Sequence, residues 1–389
     1  MKTQAVIDLG FGDSGKGLVT AFLCSKSKNP LVIRFSGGSQ AGHTVIHKNI
    51  RHIFSSFGSG TLQGVPTYWS KNCTFDPNSF NNEYCALIKN GISPIIYVNK
   101  KCPVTTPFEI IRNISLNSIN NHGTCGVGFG ETIQREEDHH SILAEDIEHL
   151  TVLHEKLVLN YRYTLERIKE LPNDFTHDDI INMHKLFLLE CSGLMKQIKE
   201  KGVIKLVSDS DYLPFTPTDY IYESSQGLLL DKDIGFFPHV TRSNVGFKAI
   251  DTDVDEIFYV TRAYQTRHGN GPMTNEKINH NIKENPHETN TYHKYQGHFR
   301  RTLLDIDLLK YALMKDNPPG NVKKNLVITC LDHVENEHRY TIDGKVECQS
   351  TEERFIKAIF ELLGGDFDDV YISKSDKYSN IRKANVRLY

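Results

Sequence analysis

Leu9-Gly10-Phe11-Gly12-Asp13-Ser14-Gly15-Lys16-Gly17-Leu18 follows the apolar run Ala5-Val6-Ile7-Asp8-Leu9 and leads into Leu18-Val19-Thr20-Ala21-Phe22-Leu23. The first run has the length and composition of a buried strand, and the last reads as the start of a helix. Strand, glycine-rich turn with one lysine, then helix is an arrangement that cradles phosphate. Glycines let backbone N–H groups approach the oxygens, the helix N-terminus adds a positive partial charge, and Lys16 adds a full one. Gly10 to Lys16 fits the pattern G-x-x-x-x-G-K-[ST] until its last position, where Gly17 stands in place of the hydroxyl residue that would touch magnesium. An oxygen ligand must then come from elsewhere, and Asp13 inside the loop is the candidate. The chain therefore departs from an ordinary P-loop NTPase.

Bulk properties bound the rest. A chain of 389 residues can bury a large core and is read as a single domain, 1–389. The formal net charge of -3 gives no reason to expect a nucleic-acid partner or a membrane surface. The eight cysteines are scattered with no C-x-x-C pair, which fits reduced thiols in a cytoplasmic protein, or in the host cytoplasm if the chain is phage-encoded. The N-terminus enters a strand directly, so no signal peptide is expected. No apolar run approaches the ~20 residues of a membrane span.

Working outward, Pro30 to Phe35 reads as a second buried strand, ending in Ser36-Gly37-Gly38-Ser39-Gln40-Ala41-Gly42-His43-Thr44. Phosphate loop and histidine loop thus leave the same ends of neighbouring strands, where α/β folds build their sites. A third glycine loop spans His122 to Gly130, followed by the polar run Gln134 to His140, expected to be solvated. Residues 151–202 are strongly helical and are read as a subdomain inserted into the α/β body, with Ile180, Ile181, Met183, Leu186 and Leu189 as its core stripe. Further on come Ser224-Ser225-Gln226-Gly227 after a strand, a helix expected over Val254 to Tyr264, and the loop Thr266 to Pro272 with Arg267. Asn275 to His298 lacks an apolar period and reads as a long loop of the kind that serves as a lid. The expected fold is α/β: a P-loop-like nucleotide-binding fold with a central, mostly parallel sheet and a helical insertion.

Several glycine loops at strand ends, carrying Asp13, Lys16, His43, Gln226 and Arg267, point to a phosphate-handling site. Gly12-Asp13-Ser14-Gly15-Lys16-Gly17 together with Gly37 to Thr44 resembles adenylosuccinate synthetase. The resemblance continues in order through Gly123-Thr124-Cys125-Gly126-Val127-Gly128, Glu223 to Gly227, Pro238 to Asn244 and Ala263 to Pro272.

That resemblance implies a ligase. Members use a nucleoside triphosphate to phosphorylate O6 of a 6-oxopurine monophosphate, and L-aspartate then displaces that phosphate at C6. It implies Asp13 as base toward N1, His43 as acid or donor to O6, Lys16 as stabiliser of the transferring group, and Gln226 as holder of the base or the 6-phosphoryl group. Gly12, Ser14, Gly15, Lys16, Gly17, Gly42, His43, Thr44 and Asp332 would bind the triphosphate. Asp13, Gln40, Thr124, Cys125, Arg135, Gln226 and Thr241 would bind the purine monophosphate, with Arg135 crossing from the partner of a homodimer. Arg300 and Gly297 would take aspartate, and Asp13 with the Gly42 carbonyl would hold Mg2+.

Departures cluster on recognition rather than chemistry. Ser14 stands where the family has glutamate, Cys125 replaces a threonine, and the aspartate loop is Gln296-Gly297-His298-Phe299-Arg300-Arg301. The family's Lys-x-Asp at the triphosphate base becomes Cys330-Leu331-Asp332, which leaves GTP and ATP both open. Val6-Ile7-Asp8-Leu9 resembles the phage branch that makes 2-aminoadenylosuccinate from dGMP, whereas Asp13 departs from that branch's usual serine. IMP and (d)GMP therefore both stand as substrates. Two other readings remain: a phosphotransferase that stops at the ring phosphate, and a nucleotide-binding paralogue without turnover.

Overall fold

The computed structural model describes residues 1–389 except 121–122, 173–174, 210–212, 214, 289–291, 336 and 387–389. His122 of the third glycine loop, for which no catalytic role is expected, and part of the expected lid loop lie outside the described residues.

Ten strands form the central sheet: β1 (Lys2–Asp8), β2 (Pro30–Arg34), β3 (Thr67–Trp69), β4 (Ile96–Asn99), β5 (Ile204–Val207), β6 (Asp219–Gly227), β7 (Glu256–Arg262), β8 (Lys323–Thr329), β9 (Asp369–Ile372) and β10 (Arg382–Ala384). Their order is β10-β9-β8-β7-β1-β6-β2-β3-β4-β5, parallel throughout except for β10 against β9. Both faces are covered, so the central strands read as continuous apolar runs. Alternation still assigns each side chain a face: Ala5, Ile7, Ile257, Tyr259, Leu326 and Ile328 join one core cluster, and Val6, Phe258, Val260 and Val327 the other.

This explains one correction. The stretch expected as a helix over Val254 to Tyr264 is β7, lying between β1 and β8 with Ile257 to Val260 all buried. A short unbroken apolar run carries no period, and its β-branched and aromatic content here decides for strand.

Eight α-helices accompany the sheet: α1 (Lys16–Lys26), α2 (Pro77–Lys89), α3 (Pro107–Asn120), α4 (Phe129–Glu137), α5 (Leu150–Ile168), α6 (His177–Lys196), α7 (Ile306–Asp316) and α8 (Glu352–Leu362) among the described residues. Leu153, Leu157, Ile180, Phe187, Cys191 and Leu194 of α5 and α6 share a core with Phe108 and Ile111 of α3 and with Ile96 and Val98 of β4. The expected core stripe is thus shifted: Leu186 and Leu189 are 61% and 68% exposed. α6 carries two overlapping apolar stripes, and packing against α2, α3 and α5 selects between them.

The chemistry-bearing loops leave the carboxyl ends of β1, β2, β6, β7 and β8, which are adjacent or nearly so in the sheet. Two antiparallel hairpins stand over these ends, His43–His47 with Ile50–Phe54, and Gln265–His268 with Phe299–Thr302. The second hairpin corrects the reading of Thr266 onward and of Phe299 to Arg301 as loops.

Candidate functional site

The phosphate loop is held from below by Asp8, a fully buried residue. Its carboxylate accepts from Gly10 N (2.8 Å), Ser14 N (3.1 Å) and the Lys16 ammonium (3.2 Å). The loop's carbonyls turn outward to side chains of neighbouring strands. Arg262 Nε donates to the Asp13 carbonyl at 2.5 Å, and Thr329 Oγ1 donates to the Ser14 carbonyl at 2.8 Å. With the carbonyls so occupied, the N–H groups of the first turn of α1 are left for an anion. Asp13 adopts φ 60°, a conformation that aspartate tolerates better than most residues. Burial raises the Asp13 carboxyl above its usual value, while the charges of Arg262 and Lys16 oppose that rise.

Gly17 has a packing reason. A Cβ there would lie 2.9 Å from His43 Cβ and 3.0 Å from Ser59 Oγ, so α1 can approach the histidine hairpin only without a side chain. The missing hydroxyl of the P-loop pattern is the consequence. At Gly227 a Cβ would lie 2.1 Å from the Gly10 carbonyl, so the Gln226 loop also presses directly on the phosphate loop.

His43 is 6% exposed. Its Nδ1 lies 2.7 Å from Glu223 Oε1 on β6, and its Nε2 lies 3.3 Å from the Ser225 carbonyl. Ser59 donates through N–H and Oγ to the same carboxylate. Burial alone would raise Glu223, but His43, Arg34 and Ser59 outweigh it and bring its pKa down to about 2. Burial lowers that of His43, against the pull of Glu223. An ionised Glu223 therefore fixes a proton on Nδ1, with the tautomer assigned from this hydrogen bond, and a second proton on Nε2 would make the ring cationic and point to the Ser225 carbonyl.

Above these supporting groups lies one cleft of about 650 Å3. Gly12, Asp13, Gly15, Lys16, Gly17, Gln40, Gly42, His43, Thr44, Gln226 and Asp332 of the sequence-predicted set lie on its wall. Both polar atoms of the buried Gln40 amide, and Gln226 Oε1, have no hydrogen-bond partner among the described residues, as expected of groups awaiting a ligand. Cys330, Asp332, Lys374, Ser375 and Asp376 line the same cleft.

Other predicted residues fall elsewhere. Ser14 is buried, with its hydroxyl turned to the Gly12 carbonyl. Thr124 Oγ1 is bonded to Asn113, and the loop of Thr124 and Cys125 adjoins the cleft margin, where Gly123 packs against Asn270 and Gln296. Thr241 N donates to the carbonyl of Leu230, a cleft-lining residue. Gly297 presents its carbonyl to His268 at 3.2 Å. The Arg300 guanidinium is occupied by the Gly269 and Gly271 carbonyls and by Glu276, so it clamps a turn rather than facing the cleft. Arg267 is buried over the Phe11 ring at 4.2 Å and donates to the Pro272 carbonyl; burial brings its pKa down to about 10.

Arg135 does not line the cleft. It is fully buried on α4, 3.2 Å from Glu109 and 2.7 Å from Glu136, and it donates to the Val104 carbonyl. Glu137 to His140 of the expected solvated run are exposed, whereas Arg135 alone turns inward, into an ion network with Arg112, Glu109 and Asn160. Burial raises the Glu109 carboxyl, but Arg135 and Arg112 outweigh it and the net shift is downward. Arg135→Met is expected to lower the unfolding free energy by about 1–3 kcal/mol, since Glu109 loses one of its two arginines and keeps Arg112. Urea denaturation checks this, and an unchanged midpoint would contradict the network.

Sequence reasoning did not single out Asp8, Glu223 or Arg262 as site residues. Glu223 and Arg262 act through partners far away in the chain, while Asp8 holds Gly10, Ser14 and Lys16 close by; Asp8 and Glu223 both lay inside quoted stretches.

A family model described as adenylosuccinate synthetase matches residues 5–371. An adenylosuccinate synthetase of Thermoplasma acidophilum is 29% identical over 363 residues, covering 88% of this chain and 80% of the relative. A fully ligated adenylosuccinate synthetase structure from Plasmodium falciparum superposes with TM-score 0.73 at 16% identity, covering 99% of this chain and 100% of that one. The cyanophage S-2L succinoaminodeoxyadenylate synthetase, bound to dGMP and dATP, gives TM-score 0.63 at 14% identity over 98% of this chain and 95% of that one.

Proposed function

Because this chain belongs to the adenylosuccinate synthetase family, we propose that its cleft joins L-aspartate to IMP in two steps, with Asp13, Lys16, His43 and Gln226 as the acting side chains. The protein is a ligase that forms a C–N bond at C6 of a 6-oxopurine nucleoside monophosphate, by way of a 6-phosphoryl intermediate. The observation that carries the residue assignment is the convergence of Asp13, Lys16, His43 and Gln226 on one cleft, with His43 oriented by Glu223.

In the first step the Asp13 carboxylate takes the N1 proton of the purine, the O6 oxyanion attacks the terminal phosphorus of the triphosphate, and the diphosphate leaves. Lys16 and the first N–H groups of α1 stabilise the transferring group. In the second, the aspartate amine attacks C6, the C6–O bond breaks, and the departing phosphate is stabilised by a proton held at His43 Nε2. Gln226 holds the base through its unpartnered Oε1.

The donors suit Mg2+, which favours one or two carboxylates together with substrate phosphates and water. The Asp13 carboxylate and the Gly42 carbonyl would hold it, and the described residues contain no cluster of three or more His, Cys, Asp or Glu that would hold a metal without substrate. When bound, the ion neutralises charge on the triphosphate. Retention of Asp13, where the dGMP-using phage branch has serine, supports IMP over dGMP.

Purified protein incubated with IMP, GMP or dGMP, L-aspartate, Mg2+, and GTP or ATP is expected to form a succinyl-purine from IMP, read by ultraviolet absorbance. Turnover with dGMP alone would reassign the substrate. Phosphate release without aspartate would instead mark a phosphotransferase.

A further inference from the structure

Arg262 ends β7 beside the tip of the phosphate loop and lines the cleft, yet the mechanism above gives it no work. Its geometry is fixed on three sides. Nε donates to the Asp13 carbonyl at 2.5 Å, Nη1 donates to the Tyr264 hydroxyl at 2.7 Å, and the guanidinium lies 5.4 Å from the Tyr264 ring and 5.6 Å from the Phe299 ring. The remaining edge is covered by one oxygen of Glu288, 3.3 Å from both Nη1 and Nη2. Charge-assisted pairs close to about 2.7–2.9 Å, and a good arginine–carboxylate pair uses two oxygens. The Glu288 contact is therefore a loose, single-oxygen one.

The same cleft offers a contrast. Lys16 is paired with Asp8, a fully buried residue at the end of β1 that two backbone N–H groups of the loop also hold. Glu288 belongs instead to the polar stretch 275–298, and its side chain is 18% exposed against 8% for Arg262.

We propose that Arg262 is a further phosphoryl-binding residue, and that Glu288 covers its anion-binding edge until the triphosphate displaces it. This rests on the ligase reading only in taking a triphosphate as the phosphoryl donor. A terminal phosphate carries three acceptor oxygens, so it can place two of them on the edge that Glu288 holds with one. Lys16 and Arg262 line the same cleft as Asp13, so a phosphoryl group near that residue would meet two cations. Charge spread over its equatorial oxygens during transfer would be met by Lys16 and by an arginine of the same chain, whose position costs no reorganisation.

Binding of inorganic tripolyphosphate to the full chain, measured by titration calorimetry, tests this without purine or aspartate. Glu288→Gln removes the competing charge and keeps the shape; it is expected to tighten binding about fivefold, as befits loss of a partly exposed ion pair. Arg262→Met is expected to weaken binding about tenfold or more. In the double variant the gain from Glu288→Gln should vanish, because both substitutions act on one interaction. Unchanged or weaker binding in Glu288→Gln, or a gain that persists beside Arg262→Met, overturns the proposal. If Arg262→Met does not fold, Arg262→Lys replaces it: it keeps the charge, loses the planar edge, and is expected to shrink the Glu288→Gln gain. A protein that forms no succinyl-purine yet passes this cycle would sink the ligase reading and leave the phosphoryl contact standing.

Discussion

Asp13→Asn is expected to lower kcat about a thousandfold or more, since it removes a positioned base whose typical contribution is about 10²–10⁴. Asparagine is the informative substitution. Asp13 sits at φ 60°, where alanine would add a backbone strain of roughly 1–2 kcal/mol, whereas asparagine accepts the conformation and preserves the carbonyl that receives Arg262. The loss then reports the carboxylate alone, which is asked both to take the N1 proton and to hold the metal. Steady-state formation of the succinyl-purine, with thermal unfolding as a control for the fold, measures it. Activity within tenfold of wild type would remove Asp13 from the mechanism.

The second large effect lies at the histidine. His43→Ala should cost about 10²–10⁴ in kcat, and Glu223→Gln about 10²-fold while leaving the imidazole in place. Glu223 is fully buried and its pKa is held near 2, so it stays ionised across any assay pH and keeps the Nδ1 proton in position. A neutral amide cannot stabilise an imidazolium that forms when His43 takes up a proton. The two losses should not add: the double variant is expected near the His43→Ala level, because Glu223 acts through His43. Additive losses would show that Glu223 works by another route. KM for the monophosphate should move little in Glu223→Gln, which separates orientation of the acid from substrate binding.

Much of the site was legible because its signals are local. A glycine-rich turn between an apolar run and a helix is a property of a dozen consecutive residues, and so are the loops that end in His43 and Gln226. The failures were of two kinds. β7 was misread because an unbroken apolar run suits a doubly covered strand as well as a buried helix. The inward turn of Arg135 was not legible because a charged run does not show which of its members faces water, as Glu137 to His140 do, and which joins an internal ion network; only the packing of α3, α4 and α5 distinguishes them.

The sequence by itself determined the phosphate loop, the succession of glycine loops at strand ends, the α/β class and the family resemblance. Tertiary structure alone decided why Gly17 must lack a side chain, since the obstacle is His43 Cβ at 2.9 Å from a hairpin on another element. It also decided that His43 is oriented by Glu223, 180 residues away, and that Arg262, 249 residues from Asp13, braces the loop. Such partners are set by strand order, because β6 and β7 flank β1 in the sheet although they come late in the chain. Local composition specifies what each loop can do. The order in which strands pair specifies which side chains meet there.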